Sequence, residues 1–155
     1  MAISGSSGCK LFIGGTGVLA SEDSWVEVGE IENLGEFGDQ SEVVRFLSLS
    51  DGRVHKMRGA KDAGDMTITV AYDSANQGQT NLRTAADLTT NVKYNFRVAL
   101  NDAPAGAAPT PTYFTFKALA QGYRLSVGAA NGTVMMNVTL SIDTAPSVAP
   151  AATGD

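Results

Sequence analysis

With 155 residues, one cysteine and one histidine, the chain fits one domain with a real core. It leaves little from which to build a catalytic centre, a metal site or an internal disulfide. A net charge of −5 argues against gripping nucleic acid through its phosphates, because that affinity comes mainly from Lys and Arg.

Met1 to Gly8 is small and polar and reads as a flexible arm. It lacks a basic stretch followed by an apolar run, so no secretory signal is expected, and no apolar run is long enough for a membrane span. Gly14, Gly15 and Gly17 hint at a phosphate loop. Yet GGTGVLAS has neither the Lys-Ser/Thr of a P-loop nor the last Gly of a dinucleotide turn, so a plain turn after a first strand is expected.

From Ser21 to Asp51 the charge becomes one-sided. Nine carboxylates (Glu22, Asp23, Glu27, Glu30, Glu32, Glu36, Asp39, Glu42 and Asp51) face only Arg45, a net of −8. The next ten residues reverse the sign, with Arg53, Lys56, Arg58 and Lys61 and no acid. Crowded like charges cost self-repulsion, which a surface with an electrostatic task would offset. Strands are expected at Trp25 to Ile31 and Glu42 to Leu49, and neither has a clean apolar face. Such strands suit a hairpin that leaves the parent domain and is buried by neighbouring copies; an acidic surface hairpin is the plainer alternative.

Beyond Asp65 the dominant period is two, the mark of half-buried strands. Met66, Ile68, Val70 and Tyr72 alternate with polar or small residues, as do Tyr94, Phe96, Val98 and Leu100. Phe114 and Phe116 are followed by Tyr123, Leu125 and Val127, then by Val134, Met136, Val138, Leu140 and Ile142. Between these runs, Asp73 and Ser74 are candidate N-caps for one helix over Ala75 to Asp87, with Leu82, Ala85, Ala86 and Leu88 at helical spacing. Asn101 to Pro111 has three prolines and reads as an exposed connection. Thr144 to Asp155, rich in Pro and Ala, reads as a disordered tail. The fold class expected is mainly β: a two-layer sandwich or barrel with one flanking helix and a long extended hairpin.

No catalytic, cofactor or metal site emerges. His55 lies between Val54 and Lys56 in a basic stretch, where a surface role is expected, and Cys9 has no nucleophile context. No carboxylate sits in an apolar pattern that would separate its pKa from a neighbour's. Asn131-Gly132-Thr133 and Asn137-Val138-Thr139 match a glycosylation pattern by chance. The basic block has no interleaved aromatics for nucleic acid; an acidic surface on another copy explains both blocks at once.

The ordered set of short elements from Asp51 onward resembles the major tail tube proteins of long non-contractile-tailed, siphovirus-type bacteriophages. An acidic strand pair precedes a basic loop with Gly59, Lys61, Asp62 and Gly64; a strand ending in Tyr72-Asp73 follows, then a helix opening on Gly78-Gln79. The resemblance covers roughly Trp25 to Asp143, implying a tail tube domain over 9–143. A chain stopping after its last strand would be a minimal form, without the further immunoglobulin-like domain of some relatives.

The resemblance implies a non-enzymatic virion protein, without cofactors, made and assembled in the cytoplasm of the bacterial host. Sixfold rings would stack into a hollow tube, with hairpins of neighbouring copies forming a continuous barrel around the lumen. DNA would pass during ejection without specific binding, repelled by an acidic lining drawn from Glu27, Glu30, Glu32 and Glu42. Arg53, Lys56, Arg58, Lys61 and Asp62 would belong to a loop docking on an acidic surface of the adjacent ring. Implied partners are further copies, a tape-measure protein, and tail initiator and terminator proteins, with no membrane. The competing readings are a tail terminator or other tail ring, and, from a different class, a carbohydrate-binding β sandwich.

Overall fold

The computed structural model describes residues 3, 5–16 and 24–153. Gly17 of the glycine-rich stretch and Glu22 and Asp23 of the acidic run lie outside the described residues.

The alternating runs form strands. β1 is Lys10–Ile13, β2 Val26–Val28, β3 Ile31–Asn33, β4 Gln40–Leu47, β5 Val54–Asp62 and β6 Asp65–Ala71. After α1 (Gln77–Ala86) come β7 Tyr94–Ala99, β8 Pro109–Thr110, β9 Tyr113–Ser126, β10 Met135–Ile142, β11 Ser147–Ala149 and β12 Ala152–Thr153. The main sheet is antiparallel and ordered β2-β1-β7-β9-β10-β6-β3. Its two end strands are consecutive in sequence, joined only by Gly29 and Glu30, and the Ala71 amide donates to the Glu30 carbonyl at 2.8 Å. The sheet therefore curls back on itself into a barrel, which removes the open edges that invite uncontrolled pairing.

Inward residues of each strand fill the barrel. Met66, Ile68 and Val70 of β6 meet Met136, Val138 and Leu140 of β10, all fully buried, and Phe96 stacks on Phe116 at 6.1 Å. Each such side chain contributes about 1.5–3 kcal/mol when buried, so the alternation read from sequence is the fold's main stabilising term.

Several local expectations are corrected. Trp25 to Ile31 is not one strand but a corner: β2 pairs with β1, β3 pairs with β6, and Glu30 turns the chain at φ +59°. Left-handed backbone at a non-glycine residue is uncommon and costs strain, offset here by closure of the barrel. The extended hairpin is instead β4 with β5. The helix begins at Gln77, capped by Asn76 rather than Asp73 or Ser74. The Asn76 Oδ1 accepts from the Gln79 amide and also from the Gly29 amide, so the cap doubles as a tie to the β2–β3 corner. Asp73 only caps the preceding turn, accepting from the Ala75 amide.

The apolar parity change between Phe114/Phe116 and Tyr123/Leu125 has a single cause. β9 is one long strand in which Thr139 faces Gly122 while Leu140 faces Ala120, so Gln121 is an extra residue. One bulged residue flips every later side chain to the other face. The segment expected to be a disordered tail carries β11, which pairs with β9 at Tyr113 to Thr115, and β12, which pairs with β8. Since β10 stops opposite Ala118, that stretch of β9 would otherwise present unpaired backbone on one side. The expected loop after Asn101 is tied down too. Asp102 accepts from both the hydroxyl and the amide of Thr112, and these two bonds hold its carboxyl below the usual value.

The helix sits close to the strands. A Cβ added at Gly78 would overlap the Glu27 carbonyl and lie 2.7 Å from the Val28 Cα. Gly→Ala inside a helix ordinarily gains about 1 kcal/mol. At Gly78 we expect the opposite sign, a loss of about 3 kcal/mol, because the obstacle is backbone and the helix must lift away. Thermal unfolding of Gly78→Ala reads this as a fall in Tm of roughly 6–12 °C; an unchanged or higher Tm refutes the close approach.

Candidate assembly surface: a two-faced arm and an acidic cleft

β4 and β5 form a separate two-stranded sheet, and all of its residues except Ser41 and Gly59 are exposed. Its strands of eight and nine residues make an arm reaching about 27 Å from its root, a hairpin that leaves the body as expected, though built from β4 and β5. At the tip, Asp51 accepts from the Arg53 amide and lies 2.9 Å from the His55 Nε2. These contacts, the amide first, hold the Asp51 carboxyl below its usual value. The turn is therefore fixed across neutral pH and loosens as pH falls through that lowered value.

The register sorts the arm's side chains by face, since residues opposite one another point the same way. Val44 faces Met57 and Phe46 faces His55, giving one mainly apolar face. Val43 faces Arg58, Arg45 faces Lys56, Leu47 faces Val54 and Ser41 faces Lys61, giving the other. Arg58 and Lys61, three residues apart, would point to opposite sides of a regular strand. Between Ser41/Lys61 and Val43/Arg58 the register slips by one on β5, so Gly59 and Ala60 together oppose Glu42. That bulge carries Lys61 round to join Arg58. The second face thus bears four cations, Arg45, Lys56, Arg58 and Lys61, and no carboxylate.

Lys56, Arg58, Lys61 and Asp62 therefore stand on a strand, not in a loop; Arg53 is in the tip turn. Arg45 was not among the residues singled out from sequence. Only its pairing with Lys56 reveals it, and that pairing is set by a turn whose register no local pattern announces. Like charges directly opposed across a strand pair destabilise it, so this face gains from an acidic partner.

At the arm's root lies a cleft of about 530 Å³. Its charged lining consists of Glu36, Asp39, Glu42, Asp62 and Asp65, without a single cation. Phe37 forms part of the wall, held by Phe114 and Phe116 at 5.4 and 5.9 Å between ring centroids. Gly64 supplies the left-handed turn from arm to β6 at φ +73°, with the Asp62 carboxylate accepting its amide. The acidic candidates from sequence are not brought together. Glu27 is on β2, Glu30 at the corner, Glu32 on β3, and Glu42 alone is in the cleft, all four exposed.

Two residues without a role in the sequence reading hold the β2–β3 corner and the end of β6. The fully buried Gln79 accepts from the Asp73 amide and donates to the carbonyls of Gly29 and Ala71. Arg83 donates to the Tyr72 hydroxyl. Trp25 is half-buried, and its ring and that of Tyr113 lie about the Arg97 guanidinium at 4.6 and 4.3 Å. Trp25 is thus occupied structurally, which removes the main aromatic a sugar-binding face would need.

Comparison with known proteins follows the same line. Residues 2–102 match the family model described as phage tail tube protein. Among solved structures the fold is similar to a chain of the sixfold-symmetrised anti-feeding prophage baseplate, with 12% identity, 97% of this chain and 98% of that one covered, and a TM-score of 0.72. It is similar to a chain of the sheath/tube terminator of an extracellular contractile injection system in the extended state, at 13%, 96%, 98% and 0.66. It is also similar to the SPP1 tail tube, at 11%, 92%, 77% and 0.64. At these identities the likeness is one of fold. No curated sequence matches the chain.

Proposed function

The chain belongs to the phage tail tube protein family, and from that premise we propose that it is the repeating unit of a hollow tail tube. It is a structural protein of the tail, not an enzyme. Copies assemble as sixfold rings, the rings stack, and the lumen carries DNA during ejection. The observation that carries this reading is the arm. Seven large apolar side chains (Val43, Val44, Phe46, Leu47, Leu49, Val54 and Met57) are 44–101% exposed on it. Exposed apolar surface of that extent marks an interaction surface. An arm that meets a different surface on another copy makes a heterologous contact, and such a contact propagates.

Arg53, Lys56, Arg58, Lys61 and Asp62 belong to that contact, with Arg45 added to them. A tape-measure protein sets tube length, and initiator and terminator proteins begin and end the stack. A terminator role is the second reading, favoured by the likeness to the sheath/tube terminator chain. Copy number separates the two: quantitative mass spectrometry of virions should give many rings' worth of this chain, and a single ring's worth would make it a terminator.

For the lumen, duplex DNA carries about one negative charge per ~1.7 Å of axis. A cationic wall would bind it and stall ejection, whereas an acidic wall keeps it sliding. Glu27, Glu30 and Glu32, on and beside the β2–β3 corner, are the lining candidates on the body, and Glu42 lies at the arm's root. Replacing Glu30 and Glu32 together with Lys should leave tubes intact but slow DNA delivery at least tenfold. Unchanged delivery by such virions would remove these two from the lumen.

A further inference from the structure

We propose that the cationic face of the arm seats in the acidic cleft of a second copy of the chain. This rests on the tube reading above and names the surface the arm meets. Four cations on one arm face stand against five carboxylates around the cleft. None of these nine side chains forms an ion pair among the described residues, where the ion pairs are His55–Asp51 and Lys93–Asp143. Arg45 opposite Lys56, with Arg58 beside them, is a repulsive arrangement that persists only at a cost. The cleft is the mirror case, five acids without a counter-ion from the protein.

The outer cations cannot reach the cleft of their own copy. Arg45 lies five residues and Lys56 six out from the Gln40–Asp62 pair at the root, about 17 Å along a straight strand. The arm would have to fold back on its own base to reach the cleft. A second copy's arm meets no such restriction. Val43, Leu47 and Val54, interleaved with the cations, would bring apolar surface to Phe37 and Ala63 in the same cleft. Each copy then offers one arm and one cleft, so every docking event leaves a free arm and a free cleft at the ends. The bulge at Gly59–Ala60 is essential to the match, because without it Lys61 would face away from the other three cations.

The test uses charge exchange in the full chain. One variant carries Lys56→Glu and Arg58→Glu, a second carries Glu36→Lys and Asp39→Lys, and a third carries all four. All four side chains are exposed, and circular dichroism with thermal unfolding checks that each variant folds. Assembly is read as the critical concentration for pelletable particles. We expect each double variant to raise it at least tenfold and the fourfold exchange to restore it to within about threefold of wild type. Normal assembly of the cleft variant, or a fourfold variant no better than either double, would overturn the pairing while leaving the tube reading standing. Wild-type protein that never assembles would overturn both.

Discussion

Excising the arm will give a folded monomer that does not assemble. Removing residues 43–58 and closing the gap between Glu42 and Gly59 with an Asn-Gly turn leaves the barrel intact, since none of its buried core residues comes from that segment. Thermal unfolding should shift by no more than a few degrees. Assembly should fall by orders of magnitude. If each of the seven exposed apolar side chains contributes about 1 kcal/mol when half covered, their sum of roughly 7 kcal/mol is about five decades in association constant. Ion pairing adds to this in a salt-dependent way. Sedimentation velocity across a wide concentration range reads the result. Tubes formed by the armless protein would mean that the contact between copies lies elsewhere.

Gln79→Glu should be the most damaging isosteric change in the body. The Gln79 Nε2 donates to the carbonyls of Gly29 and Ala71, at 3.0 and 2.9 Å, and so pins the β2–β3 corner to the end of β6. A carboxylate there would turn two attractive contacts into repulsion between oxygens in a site without water access, a loss of about 4 kcal/mol. Protonation restores one donor. The introduced carboxyl would therefore have a raised folded-state pKa, and the loss should shrink as pH falls toward the ordinary carboxylate range. Urea unfolding at neutral and acidic pH measures this. A loss below about 1 kcal/mol, or one independent of pH, would show that the corner is held by other means.

Both predictions turn on features of uneven legibility. The alternation in β6, β7 and β10 announced those strands because one face of each is turned into the core, so pattern and packing coincide. Gly78-Gln79 was visible as a pair belonging to a resemblance, without a reason. The reasons are three-dimensional: a carbonyl of β2 where a Cβ would stand, and three backbone groups from separate elements meeting one amide. Charge blocks were plain in the sequence, but their sorting was not. The described part of the acidic run divides between corner, cleft and arm, because Gly29 and Glu30 break what reads as one strand. The basic run becomes a single face only through a one-residue slip at Gly59–Ala60, and Arg45 joins it only across the hairpin. Bulges leave little local signature, and each one inverts the face of everything after it. The last residues read as disordered for a similar reason: β11 is short and weakly patterned, and it is the unpaired stretch of β9 that calls it into the sheet.

The central claim is that the arm joins copies into a tube. Cryo-electron microscopy of the purified full chain, concentrated at moderate salt, tests it most directly. The expected result is hollow tubes of stacked sixfold rings, with each arm running onto another copy and its Lys56 and Arg58 against that copy's Glu36 and Asp39. Rings that never stack, monomers at every concentration, or tubes in which the arms project freely into solvent would contradict it.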